Sequence, residues 1–242
     1  MGVTTFDCAD IYTGVEELYG RFLKRWASSS NTAQIQIHTK FVPDWSDLPL
    51  VDQSYVRRTV ERSLTRLGVE RLDLVQYYWW RDGVPGFEDT AGWLDDMRAE
   101  GKIRHVGVTN LDVSRIQRLE TVGFAPIINQ VQYSLLDRRP ARSMALHCKA
   151  SGMRVLAFGA LAGGFLTDRW LGLREPSEFQ NRSLVKYRLI IDEFGGWEAY
   201  QALLLTMAEV AENHGVDISS VALRWVLDQR EVAAVICGGT RL

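Results

Sequence analysis

Seven short runs rich in Val, Ile, Leu and aromatic residues alternate along the chain with amphipathic segments, and no Gly/Ser/Pro-rich linker divides them. The runs are "TTFDC", "QIQIHTKF", "LDLVQYY", "RHVGVTN", "IINQVQYS", "RVLAFGA" and "VAAVICG", each of strand length. Between them Val15, Leu18, Phe22 and Trp26 recur at helical spacing, as do Val56, Val60, Leu64 and Leu67, and Leu94 with Met97. Residues three or four apart share one helix face, so each segment offers a single apolar stripe to a sheet. Strand, helix, strand in this order is βα repetition, which builds a parallel sheet. Gly68, Gly101, Gly152 and Gly215 each follow a helical segment, where a left-handed cap is expected, and Asp112 suits an N-cap. The longest stretch without a clear pattern runs from Thr167 to about Gly196 and reads as a long loop.

Such repetition folds either as an open doubly wound sheet or as a (β/α)8 barrel lacking one strand. An open sheet with a nucleotide site usually has a Gly-rich turn such as GxGxxG after its first strand, whereas here the first strand runs into "FDCADIYTG". Polar residues instead sit at or just past the end of almost every strand: Asp7, Lys40, Tyr78, Thr109 with Asn110, Gln130, and then the Gly-rich "GALAGG". A barrel builds its site in this way, from many strand ends at one face. The expected fold is therefore α/β, an incomplete (β/α)8 TIM barrel with about seven of its eight strands, in one domain over residues 1–242.

Charge and composition narrow the partners. The formal charge of -2 leaves no basic excess for nucleic acid or an anionic membrane. No apolar run reaches the roughly 18 residues of a membrane span, and "MGVTTFDCAD" lacks the regions of a signal peptide, so a cytoplasmic protein is expected. Cys8, Cys148 and Cys237 are odd in number and show no CxxC spacing, which points to buried free thiols and to no metal site.

Asp7, Tyr12 and Lys40 form the constellation with the most chemistry in it. A tyrosine can act as a general acid near neutral pH if a cation or a relay brings down its phenol, ordinarily near pKa 10. Lys40 would supply the cation and Asp7 would orient it. Each residue alone reads more simply as cap, packing or solvated charge, but adjacent strand ends lie about 5 Å apart.

"FDCADIYTGVEELYG" resembles the signature of the aldo-keto reductase family, in which an Asp and, five residues on, a Tyr follow a barrel strand. "HTKF" is similar to the family's catalytic-lysine strand, "GKIRHVGVTN" to the strand with its carboxamide-binding pair, and "NQVQYSLLDRR" to the strand with its carboxamide-binding Gln. The resemblance implies reversible hydride transfer between NADP(H) and an aldehyde or ketone, with Asp7, Tyr12, Lys40 and Tyr78 at the catalytic positions. It also implies that Thr109, Asn110 and Gln130 hold the carboxamide, that Phe158 stacks on the nicotinamide, and that Gly159, Leu161 and Gly163 line the phosphates. Gly238 and Arg241 would complete the cofactor contacts. A small-molecule carbonyl compound is the implied partner; the sequence does not specify an oligomeric state.

Two departures from the family pattern stand out. Tyr78, within the aromatic run "YYWW", occupies a place where the family usually has a His that orients the carbonyl oxygen. The four histidines, His38, His105, His147 and His214, lie elsewhere. The family's first strand and helix should precede "TTFDCAD", and its last helix should follow "VAAVICGGTRL", so the resemblance implies a barrel truncated at both ends. Three readings are open: a carbonyl reductase, a cofactor-binding regulatory or catalytically impaired homologue, and a remnant that binds nothing. Trp45, Trp79, Trp80 and Trp170 follow strands and would either form an aromatic wall for substrate or pack the loops.

Overall fold

A computed structural model describes residues 2–29, 33–179 and 182–238. All seven sequence runs form strands: β1 (Thr5–Asp7), β2 (Gln36–Phe41), β3 (Leu72–Tyr77), β4 (Ile103–Thr109), β5 (Ile128–Gln132), β6 (Arg154–Phe158) and β7 (Val232–Ile236). They follow chain order in one seven-stranded sheet, the order of a β/α barrel. Eight α-helices accompany them among the described residues: α1 (Val15–Ala27), α2 (Gln53–Leu67), α3 (Phe87–Ala99), α4 (Val113–Thr121), α5 (Ser143–Ser151), α6 (Arg182–Phe194), α7 (Gly196–His214) and α8 (Ile218–Leu227). None of them is long and apolar enough to cross a membrane. The chain divides into two compact units, residues 1–129 and 130–242.

In the first unit β1, β2, β3 and β4 pair in parallel, with Asp7 beside His38, Lys40 beside Gln76, and Gln76 beside Gly107. Strand alternation puts these residues on one face and sends Phe6, Phe41 and Tyr77 to the other. That second face meets the helices: Phe6 packs edge-on to Phe22 of α1, Phe41 to Tyr55 of α2, and Tyr77 stacks on Phe87 of α3. Helix α2 starts where the Asp52 carboxylate accepts the Tyr55 N–H at 2.6 Å and stops at Gly68, whose φ of 66° is left-handed. Asp112 caps α4 in the same way, accepting the Arg115 N–H.

Helix α1 departs from the expected stripe. Its inward ring positions are Tyr19, Phe22 and Trp26, whereas Leu18 is exposed. Phe22 and Trp26 of the expected stripe are kept, and Tyr19 takes the place of Leu18 against Phe6.

In the second unit β6 and β7 pair in parallel. The stretch from Thr167 to Gly196, expected as a loop, contains α6 instead. Leu184, Tyr187, Ile190 and Ile191 are its buried face, a 3-4 spacing diluted by the polar residues between them. They join Phe165, Trp170, Tyr200 and Leu204 in one apolar cluster, and the Tyr200 hydroxyl donates to the Phe165 carbonyl at 2.6 Å. Trp170 is part of this core, with its ring 4.8 Å from Phe165, and is no substrate wall.

Gly20 of α1 lies against the end of α2. A Cβ there would lie 2.3 Å from the Arg66 carbonyl oxygen and 3.1 Å from Leu67 backbone atoms of α2. Backbone cannot yield as a side-chain tip can. Gly20→Ala is therefore expected to lower the unfolding free energy by about 1–3 kcal/mol, the usual cost of overpacking. Urea denaturation checks this, and an unchanged midpoint would show that α1 can slide on α2.

Candidate active site

The first unit brings Asp7, Lys40 and Tyr12 together. Lys40, 6% exposed, comes from the end of β2 and its Nζ donates to Asp7 Oδ2 at 2.6 Å and to the Cys8 carbonyl at 2.7 Å. Gln76, the residue beside Lys40 on β3, donates from Nε2 to the other Asp7 oxygen at 3.0 Å. Tyr12 lies on the loop after β1, 48% exposed, with Lys40 Nζ 5.7 Å from its ring centroid.

The phenol of Tyr12 is shifted upward, by burial first and by the Asp7 carboxylate second. This corrects the expectation that Lys40 lowers it. The ammonium is already answered by Asp7 and the Cys8 carbonyl, so little of its field is left for the phenol. An upward shift keeps the hydroxyl protonated at neutral pH, the form a proton donor requires.

A second tier of buried polar residues fixes the Tyr12 loop, and sequence reasoning passed over it. Asp10 accepts the Val42 N–H at 3.2 Å, and its carboxyl is pushed up to about 7 by burial, with Glu16 adding to the rise. Glu16, fully buried on α1, accepts from the Thr39 hydroxyl at 2.7 Å and pairs with Arg66 of α2. Arg66 also donates to the Asp10 carbonyl at 3.1 Å. The signal was present as acidic residues at 7, 10 and 16 within "FDCADIYTGVEELYG". Cys8, buried under the same loop, has its thiol pushed up to about 12 by burial, which makes it a poor nucleophile. Cys148 is buried as expected, whereas Cys237 is exposed.

The aromatic run splits by alternation. Tyr77 is fully buried against the helices, and its hydroxyl donates to the Phe87 carbonyl at 2.9 Å. Trp79 is buried on the same side and donates to the Val84 carbonyl. Tyr78 is half-buried and packs edge-on to Trp80 at 5.1 Å, and Trp80 in turn to Trp45 at 5.9 Å. Trp45 and Trp80 are 55% and 39% exposed, so of the four expected wall tryptophans these two remain as surface candidates. Among the described residues the Tyr78 hydroxyl has no hydrogen bond, to Tyr12 or to any other group.

The residues expected to hold a cofactor are divided between the two units. In the first, Thr109 is buried at the end of β4 and Asn110 adopts a left-handed φ of 53° just after it. In the second, Gln130 is buried on β5, and Phe158 ends β6 half-exposed. Gly159, Ala162, Gly163 and Gly164 then all take positive φ, while Leu161 sits half-buried between them. A Cβ on Gly159 would lie 2.2 Å from the Tyr187 hydroxyl of α6, and one on Gly163 2.6 Å from the Tyr187 ring. Left-handed backbone of this kind turns main-chain N–H groups toward an anion, a donor set suited to a diphosphate. Gly238 is exposed after β7, and Arg241 lies outside the described residues.

The Aldo/keto reductase family profile matches residues 1–242. Flagellar radial spoke protein 5 of Chlamydomonas reinhardtii is 27% identical, over 91% of this chain and 49% of its own length. Aldo-keto reductase YhdN of Bacillus subtilis (strain 168) is 27% identical, over 94% of this chain and 68% of its own. The chain thus spans about half to about two thirds of these relatives. The solved structure of the glycerol dehydrogenase AKR11B4 from Gluconobacter oxydans superposes with a TM-score of 0.78 at 28% identity, covering 97% of this chain and 71% of that one. Because the strand order, the strand-end polar residues and a profile match over every residue all agree, the chain belongs to the aldo/keto reductase family.

Proposed function

We propose that the chain is an NADP(H)-dependent oxidoreductase that reduces an aldehyde or ketone, with Tyr12 as the proton donor. The observation that carries this reading is the buried Lys40–Asp7 pair beside the Tyr12 ring. The family's nicotinamide cofactor supplies a hydride to the carbonyl carbon. Tyr12 gives its phenolic proton to the oxygen, and the phenolate left behind lies half-exposed beside the Lys40 ammonium. Asp7 holds Lys40 in place and does not itself exchange the proton. Half-exposed, Tyr12 recovers its proton from water. Thr109, Asn110, Gln130, Phe158, Gly159, Leu161, Gly163 and Gly238 are assigned to cofactor contacts, and Arg241 is proposed on the resemblance alone.

A second reading, a cofactor-binding homologue with impaired turnover, is favoured by Tyr78. Its hydroxyl has no hydrogen bond among the described residues, and its ring rests on Trp80, so nothing there fixes a donor on the carbonyl oxygen. The loss of one such donor costs about 10²- to 10³-fold in rate.

Turnover separates the two. With NADPH and 4-nitrobenzaldehyde, Tyr12→Phe is expected to lose about 10²- to 10⁴-fold in kcat at unchanged circular dichroism, the range of one general acid. Equal kcat in parent and variant would remove Tyr12 from the mechanism. Tyr78→His is expected to gain about ten- to a hundredfold, within the reach of a single oriented donor. Tyr77→His, cut into a fully buried ring site, is expected to lower Tm with no gain in rate. A gain at position 77 equal to that at 78 would mean that the run acts only through packing.

The Tyr12 loop also has a pH signature in stability. Asp10 titrates near 7 in the folded chain, above the roughly 3.9 of an unfolded aspartate. The native state therefore holds the proton more tightly. This contribution is fully present below about pH 4 and is lost as pH rises through about 7. Asp10→Asn keeps an acceptor for the Val42 N–H and cannot ionise. Unfolding free energies across pH 4 to 8 are expected to fall less steeply in this variant than in the parent, and parallel curves would exclude Asp10 as the titrating group.

A further inference from the structure

Helix α6 sets two consecutive side chains on the residues assigned to the nicotinamide and the diphosphate. Tyr187 covers Gly159 and Gly163, and Lys186 places its ammonium 5.2 Å from the Phe158 ring centroid and 5.1 Å from that of Tyr187. No carboxylate pairs with Lys186 among the described residues. The acid that most influences it, Asp137, is already engaged by Arg139 at 2.6 and 2.8 Å and by Gln132 at 2.8 Å. Burial lowers the Lys186 pKa, as for an ammonium partly removed from water, and the Arg139 charge adds to that. An uncompensated positive charge thus lies over the aromatic ring at the end of β6.

We propose that Lys186 makes the site discriminate between the two redox forms of its cofactor, favouring the reduced, uncharged dihydronicotinamide over the oxidised, cationic nicotinamide. The inference rests on the assignment of Phe158 as the ring against which the nicotinamide packs. A cation that already faces Phe158 repels a second cation brought to the same ring and leaves a neutral ring unaffected. The two cofactor forms share their ribose, diphosphate and adenine groups. Any charge that acts on those groups changes both affinities alike, and only a charge near the nicotinamide changes their ratio. Two unit charges within about 10 Å at a partly exposed site interact strongly enough to shift a binding ratio several-fold at low salt, and less at high salt.

Calorimetric titration of the 242-residue chain with NADPH and with NADP+ tests this directly. The parent is expected to bind NADPH more tightly. Lys186→Met is expected to shrink the ratio of the two dissociation constants by about three- to tenfold, chiefly by tightening NADP+, while Lys186→Arg keeps the ratio. Raising the salt should compress the parent ratio toward that of Lys186→Met. If Lys186→Met weakens both forms by the same factor, Lys186 reads a phosphate common to both and the proposal is overturned. An unchanged pair of constants overturns it as well. If the parent binds neither form, the cofactor assignment falls and this proposal with it, an outcome distinct from a ratio that fails to move.

Discussion

An ammonium buried as deeply as that of Lys40 must be answered within the protein, and two oxygens answer it: Asp7 Oδ2 at 2.6 Å and the Cys8 carbonyl at 2.7 Å. Removing one member of a buried pair leaves the other uncompensated and costs about 3–5 kcal/mol. The pair is therefore structural as well as chemical. Parallel register puts Asp7, Lys40 and Gln76 on one sheet face, and Gln76 closes the arrangement by donating to the second Asp7 oxygen. Held by these partners, Lys40 cannot swing out to serve as an acid itself. It acts as a fixed positive charge beneath the Tyr12 ring.

Fixing Tyr12 is the work of the tier below. The loop between β1 and α1 is tied to the end of β2 through Asp10 and Val42 and to α2 through the Arg66 bond to the Asp10 carbonyl. Glu16 joins α1 to β2 and α2 at once, through Thr39 and Arg66. A carboxylate as buried as Glu16 is tolerated because both kinds of partner are present, a hydroxyl donor and a guanidinium. The exposed phenol thus stands on a loop whose backbone is held at both ends. Positioning of this kind is what a proton donor needs, since a misplaced donor forfeits much of its effect.

Much of this could be read in the sequence, for reasons that differ residue by residue. The strands were legible because each is a short β-branched run bounded by turns, and Asp112 and Gly68 marked real caps because few other residue types perform those tasks. Asp7, Lys40 and Tyr12 were legible as strand-end residues, and parallel register does the rest. Helix α6 was not, because the exposed Val185 and Leu189 add apolar residues off its buried face and blur the stripe. The upward shift of the Tyr12 phenol was also out of reach. It comes first from the burial of the phenol and second from the Asp7 carboxylate, neither of which residue spacing encodes.

The "YYWW" run shows where composition stops and geometry decides. Four adjacent aromatic residues are equally suited to a core, yet they meet two environments in strict alternation. Tyr77 and Trp79 are fully buried on the helix side, each with its polar atom bonded to a nearby carbonyl, which offsets the desolvation of the hydroxyl and the indole N–H. Tyr78 and Trp80 turn the other way, ring against ring, with Trp80 anchored to the Pro43 carbonyl at 2.7 Å. The strand itself ends at Tyr77, but the alternation of burial continues past it to Trp80. Continued past Tyr77, the same two-residue period would give Tyr78 the face of Gln76 and the Asp7–Lys40 pair. A substitution at 77 or 79 acts first on the core, whereas one at 78 acts first on the exposed Trp80 and Trp45 rings beside it.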